Sequence, residues 1–430
     1  MLFNNVLVAC VLSLAPAALS AALKGRSVPK GFVTTSGTSF VLDGKHYDFL
    51  GANSYWIPLL STTEDVDKTF AGMQSQGVKV LRTWGFNAIN TTELASAKAT
   101  NLTYYQVWST DGTYTINYGP QGLERLDYVV ATAGKYGIKL IINFTNNWIG
   151  YGGIDLYLEN ILGSSATQDL FYTNKKVQAS FYAYIKLIVD RYKSSPNVFA
   201  WEVANELRCL GQLPAGPACV PGSNTLYNYY KSTSNYIRSL DPYHLITTGG
   251  EGHFNWANPP YYWYNGAYVS DYNYNGQAGE DFDKDLTLPN IDFATYHMYP
   301  ATWYPELDFP GSNWTVQEWG LTWIQQHADA AKKANKPLVL EEFGITGVQN
   351  QTAIYPAWAA KAISTKHAGF MPWQFGQLGL TENGGNKIFK YADALINGAS
   401  PNDGLAIFSN ETSVWNLLKS VAKQENALRI

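Results

Sequence analysis

A chain of 430 residues with a formal net charge of −4 and no basic run is poorly suited to binding nucleic acid or an anionic membrane. Hydrophobic residues make up 46%, enough for a large core, and the length suits a single barrel with insertions. Aromatic residues make up 15%, with 14 Trp and 30 Tyr, more than a core of this size needs. The rings therefore build either an unusually aromatic interior or a cleft whose faces stack on sugar rings.

The N-terminus from Leu2 to Ala22 is apolar, with small residues around Ala18-Leu19-Ser20 and Ser20-Ala21-Ala22. It reads as a secretory signal peptide over residues 1–22, and Pro16 breaks the run in a way that argues against a permanent anchor. Residues 23–39 then form a short N-terminal segment and 40–430 one domain. Cys10 leaves with the signal. Cys209 and Cys219 remain as an even pair across a Gly/Pro-rich loop, the pattern of a disulfide in an extracellular protein. Sequons at Asn90, Asn101, Asn313, Asn350 and Asn410 fit the same compartment; a sixth, at Asn143, lies at a strand end and is expected to stay unmodified.

Phe40 to Phe49 alternates around Asp43-Gly44, a hairpin that caps the bottom of a barrel and leads into a first strand ending at Gly51-Ala52-Asn53. Ser61-Thr62-Thr63-Glu64 reads as a capping box opening a helix that closes near Gly77. Strand 2 spans Val78–Arg82. A helix over Leu123–Tyr136 aligns Leu123, Leu126, Val130 and Ala133. Strand 3 spans Ile138–Asn143, and its loop carries Asn146, Asn147, Trp148 and Tyr151. A helix from Asn174 to Tyr192 precedes strand 4, Val198–Trp201, and a helix over Tyr227–Leu240 precedes strand 5, His244–Thr248. Residues 250–290, rich in Tyr, Asn and Gly, show no amphipathic helix and read as an insertion in a cleft wall. Strand 6 (Phe293–His297), a helix (Val316–Ala334), strand 7 (Leu338–Glu342), a helix (Trp358–Lys366), strand 8 (Gly369–Gln374) and a closing helix (Val414–Asn426) complete the chain. Strict alternation over eight strands predicts an α/β fold, a (β/α)8 TIM barrel with long βα loops and a small N-terminal β-hairpin.

The strand tips carry Asn53, Arg82, Asn143, Asn205-Glu206, His297-Met298-Tyr299, Glu342 and Trp373. Any one of them is most simply a satisfied polar group. Together they match the mouth of a barrel, where active sites lie, and two carboxylates there meet the basic requirement of glycoside hydrolysis. Whether Glu341 or Glu342 points into the mouth is left open by periodicity, because neighbours on a strand face opposite ways. Glu202 shares parity with Glu206 and reads as a paired structural carboxylate.

Trp201-Glu-Val-Ala-Asn-Glu-Leu-Arg-Cys209, Thr295-Tyr-His-Met-Tyr-Pro300, Leu340-Glu-Glu-Phe-Gly344, Pro372-Trp-Gln-Phe-Gly376, Leu81-Arg-Thr-Trp-Gly-Phe-Asn87 and Gly51-Ala-Asn-Ser-Tyr-Trp56 carry a resemblance that covers nearly all of the chain beyond the signal. The chain resembles the retaining (β/α)8 enzymes of glycoside hydrolase family 5, most closely its fungal endo-β-1,4-mannanases. The resemblance implies Glu206 as general acid/base and Glu342, directly before the aromatic-Gly pair, as nucleophile; Glu341 would then face helix or solvent. Glu206 must hold a proton, so burial and the second carboxylate should raise its pKa. Arg82 is suited to keep Glu342 ionised, Tyr299 to hydrogen-bond it, His297 to set the proton state of Glu206, Asn205 to contact the sugar 2-OH, and Trp373 to form the floor under the sugar. Arg208 matches an arginine that contacts sugar in the family, or forms a salt bridge at the loop base. Trp56, Trp84 and Trp148 are either stacking platforms or core. Gly250-Glu251-Gly252 departs from the family's Asp-Glu-Gly by its first residue, which with the insertion bears on substrate preference.

The implied activity is release of internal β-1,4-mannosidic bonds in mannan, glucomannan or galactomannan by a secreted monomer that uses no cofactor or metal. The six His lack metal-site spacing, and there is no Gly-x-Ser-x-Gly elbow. The alternatives are an endo-β-glucanase of the same clan and a non-catalytic carbohydrate-binding barrel.

Overall fold

The computed structural model describes residues 28–428 except 151, 265, 309–311, 313 and 382–397, with side chains as far as residue 420. The expected signal peptide, Tyr151 and the Asn313 sequon lie outside the described residues. Eight parallel strands form the core: β1 (Phe49–Asn53), β2 (Val80–Trp84), β3 (Lys139–Asn143), β4 (Val198–Glu202), β5 (Leu245–Thr247), β6 (Ala294–Met298), β7 (Leu338–Phe343) and β8 (Gly369–Phe370). Their hydrogen-bonded order is β5-β4-β3-β2-β1-β8-β7-β6. The seam between β5 and β6 is bridged by the Asp292 N–H donating to the Ile246 carbonyl at 2.8 Å and by the Thr247 and Thr295 hydroxyls at 2.9 Å. The result is the expected (β/α)8 barrel. Every residue of β1, β2, β4, β6 and β7 is buried, as befits strands covered on both faces.

Helices lie where apolar residues recur at helical spacing. The segment Leu123–Lys135 buries Leu123, Leu126, Val130 and Ala133, and Lys175–Tyr192 is opened by Asn174, whose side chain accepts from the Lys176 and Val177 N–H groups. Val316–Ala334 begins in a capping box of Thr315 and Glu318.

Three expectations need correction. The first helix is capped by Thr62, which accepts from the Asp65 N–H, so the box expected between Ser61 and Glu64 sits one residue late and lacks its Glu. The seventh helix runs over Val348–Ser364, ten residues earlier than Trp358, because it continues through Pro356 where a Pro reads as a boundary. Strand β8 ends at Phe370, before Pro372, which has no N–H to donate; Met371 and Trp373 still donate to the Leu340 and Phe343 carbonyls at 2.9 Å each.

The bottom of the barrel is closed by an antiparallel meander of Val33–Ser36, Ser39–Leu42 and Lys45–His46, which begins upstream of residue 40. Its tight turn is Asp43-Gly44, both in the left-handed region at φ 50° and 76°. Phe40 is fully buried there, packed edge-on against Phe199 at 5.0 Å and Phe293 at 5.3 Å. Substituting Phe40→Ala should cost about 3–5 kcal/mol in urea unfolding while leaving kcat unchanged, since the ring lies at the end opposite the strand-tip carboxylates. A loss below about 1 kcal/mol would show that the meander is not part of the core.

Candidate active site

Strand register sets the site. Asn53 pairs with Arg82 across β1–β2, Glu202 with Asn143 and Thr247 across β3–β4–β5, and His297 with Glu342 across β6–β7. All these tips point toward one end of the barrel. Arg82, 2% exposed, is the hub. Its Nε and Nη2 donate to the two Glu202 oxygens at 2.7 Å each, Nη2 also donates to Asn205 Oδ1 at 2.6 Å, and Nη1 donates to Glu342 and to Asn53 Oδ1 at 3.3 Å. A planar guanidinium with five donors can serve that many acceptors at once, which an ammonium cannot. Glu202 is therefore the paired carboxylate expected. Asn53 supports the hub from beneath, its Nδ2 donating to the Glu341 and Pro372 carbonyls at 2.8 and 3.3 Å.

Glu206 lies just beyond β4 in the left-handed region at φ 52°, a conformation costing a non-glycine residue about 1–3 kcal/mol. Its neighbours hold it there: the Asn205 N–H donates to the Thr145 carbonyl and the Glu206 N–H to the Gly249 carbonyl, both at 2.9 Å. Gly249 must itself lack a side chain, because a Cβ would come within 2.3 Å of the Ala204 carbonyl and of Glu202. The Glu206 carboxylate is held by His297 Nδ1 at 2.6 Å and by the Trp148 indole N–H, which donates at 2.5 Å. Trp148 thus contacts Glu206 directly, beyond the platform-or-core alternatives that its sequence suggests. Asn205 Nδ2 donates to Asn146 Oδ1 at 2.8 Å.

Glu342 receives the Tyr299 hydroxyl at 2.6 Å besides Arg82, and its Oε2 lies 3.6 Å from His297 Nδ1. Glu341 departs from expectation: it faces neither helix nor solvent. The β6–β7 register jumps from Tyr296–Leu340 to His297–Glu342, a bulge that leaves Glu341 unpaired and breaks the alternation of side chains. Its carboxylate is fully buried, 3.7 Å from Arg82 Nε and 3.6 Å from His297 Nε2, without a hydrogen bond.

Burial opposes charge on Glu342, Glu202 and His297. It raises Glu342 above 4.5 although His297 and Arg82 pull the other way, and it raises Glu202 to about 7 against the same arginine. On His297 burial opposes protonation, but Glu342 and the hydrogen bond to Glu206 outweigh it and hold the imidazole well above 6.5. Carboxylate oxygens of Glu206 and Glu342 and a nitrogen of His297 lie within 4.8 Å of one another. Such spacing could seat a metal ion, yet these atoms are already committed to each other, to Tyr299 and to cationic Arg82, which would repel a second cation.

Above the carboxylates opens a cleft of about 640 Å³ lined by Tyr55, Trp84, Trp148, Trp303, Trp373 and Arg208 among others. Trp373 donates its indole N–H to Asp403 at 2.6 Å and lies parallel to Tyr55 at 5.8 Å, making one aromatic wall. Trp56 has no exposed surface and belongs to the core. Arg208 lines the cleft and forms a bidentate ion pair with Glu251, its guanidinium 5.1 Å from the Trp148 ring, so the expected salt bridge is formed at the cleft wall. Burial would raise Glu251, but Arg208 and His253 hold it well below the usual carboxylate range. Behind it, Glu280 of the insertion fills the space at Gly250: a Cβ there would meet its Oε1 at 1.9 Å, and its Oε2 accepts from the Gly252 and His253 N–H groups at 3.1 and 3.0 Å. Glu280 thus braces the loop at Gly250 from thirty residues on. Tyr55, Trp303 and Asp403 were not singled out from sequence; Tyr55 lies inside a matched string, whereas nothing local marks Asp403.

A disulfide joins Cys209 and Cys219, with their Cα atoms 5.1 Å apart. Of the sequon asparagines, Asn101, Asn350 and Asn410 are exposed, Asn90 is half-buried in a helix cap, and Asn143 is fully buried. No described helix is long and apolar enough to cross a membrane.

A family model described as GH family 5 beta-mannosidase-like matches residues 30–370. The chain is 41% identical over 378 residues to a probable mannan endo-1,4-beta-mannosidase A of Aspergillus flavus, covering 88% of this chain and 84% of that one. It is 40% identical over 397 residues to mannan endo-1,4-beta-mannosidase A of Aspergillus aculeatus, covering 92% and 91%. Among solved structures, an endo-1,4-beta-mannanase from Rhizomucor miehei superposes with a TM-score of 0.74 at 34% identity, over 91% of this chain and 99% of its own. With the barrel and the cluster at its mouth already in place, these likenesses establish that the chain is a glycoside hydrolase and belongs to family 5, in its beta-mannosidase-like group.

Proposed function

We propose that the chain is a secreted, monomeric, retaining endo-β-1,4-mannanase that opens internal bonds of mannan, glucomannan or galactomannan by double displacement. The observation that carries this reading is the approach of the Glu206 and Glu342 carboxylates to within 4.8 Å in unlike settings. Retaining enzymes hold the two carboxyl groups about 5–5.5 Å apart, whereas inverting ones need about 6.5–9.5 Å to admit a water. Glu342, bonded to a guanidinium and a phenol, is equipped to act as an anion. It attacks the anomeric carbon while Glu206 protonates the departing glycosidic oxygen. Glu206 then accepts a proton from the water that releases the sugar from Glu342 and regains its starting state. His297, hydrogen-bonded to Glu206, serves the proton exchange. Asn205 keeps one amide hydrogen for the 2-OH after its bond to Asn146, and the Trp373 ring forms the floor. Mannan as substrate is supported by the relatives, whose names specify mannan. Secretion is supported by the apolar N-terminus and the exposed sequons.

Glu206→Ala and Glu342→Ala should each lower kcat/KM for reducing-end release from mannan by about 10³-fold or more, measured at a temperature where each variant is still folded. Retention of a tenth of the activity by either variant would remove that residue from its role. Assayed on mannan, cellulose and β-1,3-glucan in parallel, the enzyme should act on mannan; a preference for either glucan would make the altered fifth loop a switch of substrate.

The acid limb of the pH profile follows from Glu342. Its pKa is raised above the ordinary glutamate value of 4.5 and only the anion attacks, so on the acid side of the profile kcat/KM falls as pH drops through that pKa. Tyr299→Phe removes a hydrogen bond that favours the anion. The limb should move to higher pH by about one to two units, the equivalent of a charged hydrogen bond of about 1.5–3 kcal/mol. An unmoved limb would assign it to another group.

A further inference from the structure

The insertion after β5 carries an antiparallel hairpin of Tyr261–Tyr264 and Ala267–Ser270. Its cross-strand pairs Tyr261–Ser270 and Trp263–Tyr268 share one face, and the three rings on it are 64%, 54% and 65% exposed. Trp263 and Tyr268 meet edge-to-face at 5.1 Å. On the opposite face Tyr262 anchors the hairpin, packing against Tyr304 at 4.9 Å, and the Tyr304 hydroxyl donates to Asp271 at 2.7 Å, while Tyr264 towards the tip is 37% exposed. Large rings left in water on a strand face beside a polar turn are costly unless something covers them.

We propose that this face is an outlying sugar-binding platform on which the polysaccharide chain continues after leaving the cleft. The proposal rests on the reading of the site as an endo-acting glycanase. Three observations favour a sugar chain as the occupant. The face consists of Tyr, Trp and Ser alone, with no aliphatic or charged side chain, so it offers flat apolar rings with polar rims, the complement of a sugar ring with its apolar C–H face and hydroxyl edge. The base of the hairpin adjoins the cleft wall. Tyr304, beneath it, follows Trp303, which lines the cleft; Tyr272, two residues past its second strand, lies 5.5 Å from the guanidinium of Arg208, which also lines it. An endo-acting enzyme also leaves polymer on both sides of the bond it cuts, so a chain longer than the cleft must lie across its rim. The platform would hold long or insoluble polymer and be idle toward oligosaccharides that fit within the cleft.

The test is the triple variant Tyr261→Ala/Trp263→Ala/Tyr268→Ala beside the unaltered protein, with Trp263→Phe as a variant that keeps a ring. Three readouts are needed: adsorption to insoluble linear mannan, kcat/KM on that polymer, and kcat/KM on mannotetraose. Loss of stacking on more than one ring should weaken adsorption and polymer kcat/KM by about tenfold, leave mannotetraose turnover unchanged, and spare Trp263→Phe most of the loss. Equal losses on polymer and tetraose would mean a folding or cleft defect and overturn the proposal, as would unchanged adsorption. Sedimentation velocity covers the alternative occupant: a dimer in the unaltered protein that the variant dissociates would assign the face to a second copy. If the unaltered protein cleaves a glucan instead of mannan, the substrate reading fails, and the same contrast on that glucan and its tetrasaccharide still decides the platform.

Discussion

The site depends on one buried guanidinium. Arg82 bonds Glu202, Glu342, Asn205 and Asn53 and lies within 3.7 Å of Glu341, so a single cation orients four of the strands that meet at the mouth. Breaking such a buried pair costs about 3–5 kcal/mol because it strands the remaining charges. The arrangement also sets the chemistry. Arg82 and His297 are two cationic groups among four buried carboxyls, Glu202, Glu206, Glu341 and Glu342. Burial raises Glu202 and Glu342 above the ordinary carboxylate value despite the nearby cations. The two catalytic candidates differ in their contacts: Glu342 has the guanidinium and a phenol, whereas Glu206 has an indole and the imidazole.

Much of this was legible in the sequence because the barrel writes its active site as strand tips. Arg82, Glu206, His297, Tyr299, Glu342 and Trp373 each end or follow an apolar run, and the resemblance added the division of roles. What stayed hidden was nonlocal or broke a local rule. Alternation predicts that Glu341 and Glu342 point apart, but a bulge opposite His297 suspends alternation there, and no sequence signal marks it. Pro356 hid the first half of its helix. The Trp148–Glu206 and Trp373–Asp403 hydrogen bonds join residues 58 and 30 positions apart, and only the closed barrel brings them together.

The fifth loop is braced by a residue from thirty positions on. Glu280 from the insertion occupies the space beside Gly250 and accepts the neighbouring backbone N–H groups. Glu251 keeps its place beside Arg208 and the cleft wall is preserved. The same insertion supplies Tyr272 beside Arg208 and the aromatic hairpin beyond it.

The central claim is that Glu342 attacks the sugar itself and Glu206 serves both halves of the reaction. The most direct measurement is the anomeric configuration of the first sugar released, followed by proton NMR on a β-1,4-mannooligosaccharide faster than mutarotation. Two displacements predict the β-anomer first, with α appearing only as the sugar equilibrates. An α-anomer formed first would mean a single displacement by water, and Glu342 would then be a base.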